Sequence, residues 1–66
     1  MRVTINGRPH EAAGALSLGQ AVAVLTTAKS GVAAAVNGAV VRRGAWDSTA
    51  LADGDEVEVL TAVQGG

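Results

Sequence analysis

Alternating polar and apolar residues mark a stretch near each end of the chain. Arg2–Ile5 alternates near the start, and residues 56–59 alternate strictly near the end. A period of two is typical of a strand with one buried face. The pattern therefore predicts two half-buried strands, with valine and isoleucine on one face and polar side chains on the other.

Pairs of Asn and Gly divide much of the remaining chain into hairpins. Asn6-Gly7 is a strong hairpin signal, so residues 8–13 are predicted to form the return strand. Pro9 has no N–H to donate, which places this strand at a sheet edge. The same signal at positions 37 and 38 separates two further strands. The wholly apolar run Val32–Val36 is predicted to be a central buried strand, and Ala39–Val41 is predicted to be a shorter strand. Residues 42–50 are predicted to be a loop with a helical turn, and residues 52–55 a third turn.

A helix is predicted over residues 18–28. Ser17 and Gln20 have the spacing of a capping box at its start. Four apolar residues follow at helical spacing and form one stripe: Leu18, Ala21, Val22 and Leu25. Lys29 suits the negative end of the helix, and Gly31 suits the left-handed residue just past it.

The order of elements predicts an α+β fold with one helix across one face of a mixed sheet. The first and last strands would be neighbours in the sheet. This arrangement resembles the β-grasp fold of ubiquitin. Residues 1–66 would form a single domain, with residues 62–66 as an extended tail. The predicted core places sheet residues against the helix stripe: Val3, Ile5, Val57 and Val59 against Leu18, Val22 and Leu25.

Composition narrows the range of functions. The chain has 66 residues, no cysteine and one aromatic residue, Trp46, so disulfides are excluded and a base-stacking platform is not expected. The formal net charge of −1 does not favour nucleic-acid binding. The sequence shows neither an apolar span long enough for a membrane nor a signal-peptide pattern, and we expect a cytoplasmic protein.

The inventory of reactive side chains argues against an enzyme. His10 is the only histidine and is predicted to be an exposed strand residue. The three serines lack a plausible base with an orienting partner for a hydrolytic triad. Four acidic residues cluster near the end of the chain, where a turn and the solvent face of a strand explain them better than a cation site: Asp53, Asp55, Glu56 and Glu58.

The last residues of the sequence, Gly65-Gly66, are the remaining candidate for chemistry. Residues 62–66 could reach roughly 17 Å beyond the last strand. Two residues without Cβ form a thin strip that can pass through a narrow channel into another protein's active site. The carboxylate of Gly66 would then be a substrate there, once activated, for example by adenylation.

The end of the chain resembles the ThiS family, the sulfur carriers of thiamin biosynthesis. The resemblance rests on residues 53–66 and, upstream, on Val36-Asn37-Gly38, residues 40–43 and Trp46. Arg42 departs from the family pattern, which often has proline there. The resemblance covers the whole length, and residues 61–66 are its most specific part.

This resemblance implies a mechanism and a set of partners. An adenylyltransferase of the ThiF type would use ATP and Mg²⁺ to activate Gly66, with Gly65 and Gln64 giving access to its channel. A cysteine desulfurase would supply sulfur, and a thiazole synthase of the ThiG type would take it from a Gly66 thiocarboxylate. The chain itself is expected to bind no cofactor or metal and to contact neither nucleic acid nor membrane.

A partner surface is predicted around Leu60, which shares the solvent-facing parity of Glu56 and Glu58. Val63 is a second candidate contact. Trp46 either extends this surface or closes the edge of the core. Three alternatives for the function stay open: a sulfur carrier of the molybdopterin synthase small-subunit type, a ubiquitin-like modifier of lysines, and an interaction module with an inert tail.

Overall fold

A computed structural model describes residues 1–28 and 30–61 of the chain. These residues form five strands, one α-helix and one 3-10 turn. The elements are β1 (Arg2–Ile5), β2 (Arg8–Glu11), α1 (Leu18–Leu25), β3 (Val32–Val36), β4 (Ala39–Val41), the 3-10 turn (Arg43–Ala45) and β5 (Glu56–Thr61). Within the described residues no helix combines the length and apolar character that a bilayer crossing requires.

The five strands form one mixed sheet in the order β2-β1-β5-β3-β4. β5 lies in the middle, parallel to β1 and antiparallel to β3. The first and last strands are therefore neighbours, as the sequence predicts. β2 lies at the edge that Pro9 indicates, although it ends at Glu11 rather than at residue 13. The α+β β-grasp fold is confirmed.

The core lies between the sheet and α1. Val57 and Val59 are buried while Glu56 and Glu58 are exposed, which confirms the alternation of β5. Leu18 is fully buried at the start of the helix. The buried apolar side chains are Val3, Ile5, Leu18, Ala21, Val22, Ala34, Trp46, Leu51, Val57 and Val59.

The helix begins as predicted and ends early. Ser17 accepts a hydrogen bond from the Gln20 N–H, and the Gln20 side chain accepts one from the Ser17 N–H, which completes the capping box. Thr26 is extended, with φ −153° and ψ 147°, so α1 stops at Leu25 rather than at residue 28. Gly31 has a positive φ of 72°, but it lies several residues beyond this end. Lys29 lies outside the described residues.

Leu25 does not belong to the core. Its side chain is 47% exposed, and the prediction that it faces the sheet is wrong. The apolar stripe has the right period, but the helix ends at this residue, and its last turn does not cover the sheet. Ala21 and Val22, one turn earlier, are buried.

β3 is buried on one face only. It pairs with β5 on one side and β4 on the other, so it lies inside the sheet. Ala34 is buried, whereas Ala33 is exposed and Ala35 half-buried. The prediction of a fully buried strand is therefore wrong, because the helix covers one face of the sheet and the described residues leave the other open.

The loop after β4 closes the end of the core and holds the start of α1. Its 3-10 turn confirms the helical turn predicted near Trp46. The Leu18 N–H donates to the Thr49 carbonyl at 2.8 Å, and the Gly19 N–H donates to the Trp46 carbonyl at 3.2 Å. A Cβ at position 19 would meet the end of the Asp47 side chain, which can rotate away, and would lie 3.7 Å from the Trp46 backbone, so the close approach does not depend on glycine.

Candidate functional site

The sheet face opposite α1 carries exposed apolar side chains. Strand register places Ala33 opposite Leu60, and Ala35 opposite both Glu58 and Val40. Leu60 is 72% exposed and Val40 is 81% exposed. We call Ala33, Ala35, Val40 and Leu60 the open-face patch. Exposed apolar side chains grouped on one face are typical of a surface that contacts a partner.

The sequence predicts only part of this patch. The exposure of Leu60 follows from the alternation of β5, whereas the pattern predicts strands for Val40 and the two alanines but not the face on which each side chain lies. The signal was present in the Asn37-Gly38 turn, because a two-residue hairpin fixes the register and places Val40 across from Ala35. The open-face patch therefore combines three strands rather than one residue.

Acidic side chains border the open-face patch. Glu56, Glu58 and Leu60 occupy alternate positions of β5 and lie on the same face. Both glutamates are exposed. A partner that covers Leu60 would place its own groups beside these carboxylates, and complementarity of charge favours basic ones.

Trp46 lies in the core, on the helix side of the sheet. Its side chain is 6% exposed, and its Nε1–H donates to the Val41 carbonyl at 2.8 Å. The Arg43 guanidinium lies over the ring, 5.2 Å from its centre. Of the two interpretations from sequence, closure of the core edge matches this position. The assignment of Trp46 to the same surface as Leu60 is corrected accordingly.

His10 is half-buried on the helix side of β2, opposite Val3, rather than fully exposed as predicted. The residues around it do not form a ligand set. Within residues 1–28 and 30–61, no three His, Asp or Glu side chains are grouped so that they could hold a metal ion.

The acidic residues that precede β5 organise a turn. Asp53 Oδ1 accepts from the Arg2 N–H at 2.6 Å. Asp55 accepts from the Ala52 N–H at 2.8 Å and from the Asn37 side chain at 3.0 Å. These two hydrogen bonds, the Ala52 bond first, hold the pKa of Asp55 below its ordinary value. The carboxylates thus fix the start of β5, as the interpretation of this cluster as a turn predicts.

The candidate reactive end follows β5 in the sequence. Thr61 ends β5 and is the last described residue. Leu60, in the open-face patch, lies immediately before it. The other predicted site residues lie outside the described residues: Val63, Gln64, Gly65 and Gly66.

Comparison with known proteins agrees with this fold. A sequence model of the ThiS family matches residues 3–66. The crystal structure of the thiamine biosynthesis protein (ThiS) from Geobacter metallireducens is 36% identical, covers 100% of both chains and has a TM-score of 0.77. The NMR solution structure of a thiamine biosynthesis protein from the same organism is 36% identical, covers 100% of this chain and 88% of that one, and has a TM-score of 0.79. No curated protein matches significantly. The family match over nearly the whole sequence shows that this chain belongs to the ThiS family.

Proposed function

We propose that this protein is a sulfur carrier of thiamin biosynthesis and that Gly66 carries the sulfur as a thiocarboxylate. The observation that carries the proposal is the ThiS family match, which runs through Gly65 and Gly66. The solved ThiS structure of similar fold, described as a thiamine biosynthesis protein, supports the pathway. The inventory of side chains supports a carrier rather than a catalyst.

The proposed chemistry needs two successive substitutions, the first at the α-phosphorus of ATP and the second at the acyl carbon of Gly66. In the first, a carboxylate oxygen attacks the α-phosphorus of ATP, and pyrophosphate leaves. In the second, a sulfur nucleophile attacks the acyl carbon of the adenylate, and AMP leaves with the bridging oxygen. A ThiF-type adenylyltransferase would supply ATP and Mg²⁺, and a cysteine desulfurase would supply sulfur as a persulfide. The terminal sulfur of the persulfide displaces AMP and forms an acyl disulfide. A thiol then attacks the outer sulfur of this acyl disulfide, which forms a disulfide with the donor and releases the Gly66 thiocarboxylate.

In this proposal the chain contributes an uncrowded acyl carbon at Gly66 and a surface on which the partner enzymes dock. Without Cβ atoms, Gly65 and Gly66 leave the acyl carbon uncrowded. The sequence contains no cysteine, so no internal thiol competes for the activated acyl group. The thiocarboxylate would then donate its sulfur to a ThiG-type thiazole synthase.

The thiocarboxylate can be detected as a change in the mass of the intact protein. Protein purified from cells that are making thiamin is expected to be heavier by the difference between one sulfur and one oxygen atom. The same protein from cells without the adenylyltransferase is the control and should have the unmodified mass. Lysine-linked adducts in place of this change would favour a modifier, and an unmodified carboxylate during thiamin synthesis would contradict the proposal.

We further propose that the open-face patch docks on the adenylyltransferase and on the thiazole synthase. The patch lies beside Thr61, so a partner that covers it is close to the chain segment that leads to Gly66. Leu60 is central because it is exposed and immediately precedes Thr61. The neighbouring carboxylates Glu56 and Glu58 favour a partner with basic groups beside an apolar one.

Leu60→Asp is expected to weaken docking without unfolding the domain. Because Leu60 is 72% exposed, its replacement leaves the core intact. Loss of a hot-spot residue at the centre of an interface costs about 2 kcal/mol, or roughly a thirtyfold rise in Kd, and we expect a loss of this size for Leu60. Titration calorimetry with each partner measures this change. Val24→Asp is the matched control, since Val24 is 51% exposed on α1 and lies away from the patch; equal losses for both variants would contradict the assignment.

A further inference from the structure

The two Asn-Gly turns direct asparagine side chains toward β5. Asn6 and Asn37 have φ values of 52° and 51°, the left-handed region that asparagine tolerates better than most residues. The two turns lie on opposite sides of β5, one after β1 and the other after β3. Each therefore joins a hairpin to the central strand, in addition to reversing the chain.

Asn6 pairs with both backbone groups of Val59. Its Nδ2 donates to the Val59 carbonyl at 3.0 Å, and its Oδ1 accepts from the Val59 N–H at 2.7 Å. β1 pairs with β5 only as far as Ile5 opposite Val57. The side-chain amide thus supplies one more pair of strand-like hydrogen bonds after β1 has turned away.

This contact holds β5 close to the point where it leads into the proposed reactive segment. Val59 lies two positions before Thr61 and seven before Gly66. On the side that faces β1, Asn6 provides both hydrogen bonds of Val59. On the other side, β3 pairs with β5 as far as Thr61 opposite Val32. We propose that Asn6 is a positioning residue that, from the β1 side, completes the hold on β5 and so helps to set the direction in which the chain leaves it toward the adenylyltransferase.

The inference rests on the proposed function, because it assumes that Gly66 is the reacting residue. If the five residues after Thr61 are extended, they span roughly 17 Å, so a small change in the direction of β5 becomes a displacement of about 1 Å or more at Gly66. A misplacement of about 1 Å can cost a hundredfold in rate. The active site can guide part of the segment, so we expect a smaller loss of about tenfold.

The loss should appear in kcat rather than in KM. Docking through the open-face patch does not involve Asn6, so the affinity of the folded domain for the enzyme is retained. At saturation, docked chains would present Gly66 over a wider range of positions, and fewer would be aligned for attack on ATP. A merely structural role for Asn6 would lower the folded fraction and leave kcat per folded molecule unchanged.

Asn37 provides a matched control at the other end of β5. Its backbone N–H donates to the Glu56 carbonyl at 2.7 Å, and its Oδ1 accepts from the Glu56 N–H at 2.9 Å. Glu56 begins β5 and lies ten positions before Gly66. Asn37→Gly and Asn6→Gly both keep a residue that tolerates positive φ, and both remove a side chain that bonds β5.

The test compares ATP–pyrophosphate exchange for the full-length wild type, Asn6→Gly and Asn37→Gly with the adenylyltransferase. For Asn6→Gly we expect kcat about tenfold lower and KM within about twofold of wild type. For Asn37→Gly both constants should stay within about twofold of the wild-type values. Amide hydrogen exchange at Val59 should accelerate in Asn6→Gly alone, which shows that the contact itself has been lost.

The outcomes separate the two proposals. Equal kcat for Asn6→Gly and Asn37→Gly, with faster exchange at Val59 in the first, overturns the positioning role and leaves the sulfur-carrier function standing. A rise in KM with unchanged kcat also overturns it, because Asn6 would then contribute to docking. An absence of pyrophosphate exchange with the wild-type chain contradicts the proposed function and, with it, the role of Asn6.

Discussion

A chain that lacks Gly66 is expected to fold and to bind the adenylyltransferase but to support no ATP–pyrophosphate exchange. The deletion leaves a carboxylate of the same chemistry on Gly65. That carboxylate ends one residue short, about 3.5 Å along an extended chain, which exceeds what reaction geometry tolerates. Exchange is measured with each variant at saturating concentration, and binding is measured separately by calorimetry.

Gly65→Val tests access with the chain length unchanged. A β-branched side chain restricts the backbone and widens the segment that must enter the channel, so exchange should also be impaired. Both variants should bind as the wild type does, because the open-face patch is unaltered. Wild-type exchange by the chain without Gly66 would rule out the terminal carboxylate mechanism and favour an interaction module with an inert tail.

Leu18→Ala is expected to lower the free energy of unfolding by about 3–4 kcal/mol. Leu18 is fully buried at the start of α1, in the middle of a core built mainly from valine and alanine. A domain of this size is stable by only about 3–10 kcal/mol, so the substitution removes a large share of its stability. Urea unfolding followed by circular dichroism measures the loss.

Leu25→Ala is the matched control for Leu18→Ala. The substitution is chemically identical and lies in the same helix, but Leu25 is 47% exposed. The loss in the free energy of unfolding for Leu25→Ala should stay below about 1 kcal/mol. The Leu25 side chain buries little apolar area in the fold, and alanine is a strong helix former. Similar losses at the two positions would mean that the end of α1 packs on the sheet after all.

The sequence predicts the framework of this fold because local signals agree with one another. Three kinds of local signal indicate the same order of strands, turns and helix, and the structure contains the element that each predicts. They are the alternation in β1 and β5, the Ser17–Gln20 capping box and the two Asn-Gly turns. Period and turn chemistry depend on neighbouring residues only. They therefore identify strands, turns and the start of the helix without knowledge of the packing.

The errors arise where the tertiary structure decides. Leu25 continues the helical period, but Thr26 is extended and the helix stops before that side chain can reach the core. The consecutive threonines at positions 26 and 27 are β-branched and therefore weak helix formers, so they indicate a helix end here. The prediction of a longer helix follows the apolar stripe instead. The position of Trp46 depends on how its loop folds against α1, which its neighbours in sequence do not specify.

The chemistry of the candidate site remains a prediction from the sequence, and only part of the site's geometry follows from the sequence. The Gly65-Gly66 sequence and the exposed parity of Leu60 follow from the residues themselves. The pairing of Asn6 with Val59 does not, because a turn signal gives no information about a residue 53 positions away. Side chains that connect distant parts of the chain are thus the ones that sequence reasoning misses here.

The central position of β5 also governs when the domain can form during synthesis. The β1–β2 and β3–β4 hairpins have β5 as the strand between them, and β5 comes last in sequence among the described strands. A nascent chain therefore cannot join its two hairpins until residues 56–61 have left the ribosome, so folding is delayed and cooperative. Products truncated before β5 would stay unfolded and be open to proteolysis. Incomplete chains would thus be removed rather than occupy the partner enzymes without a residue to activate.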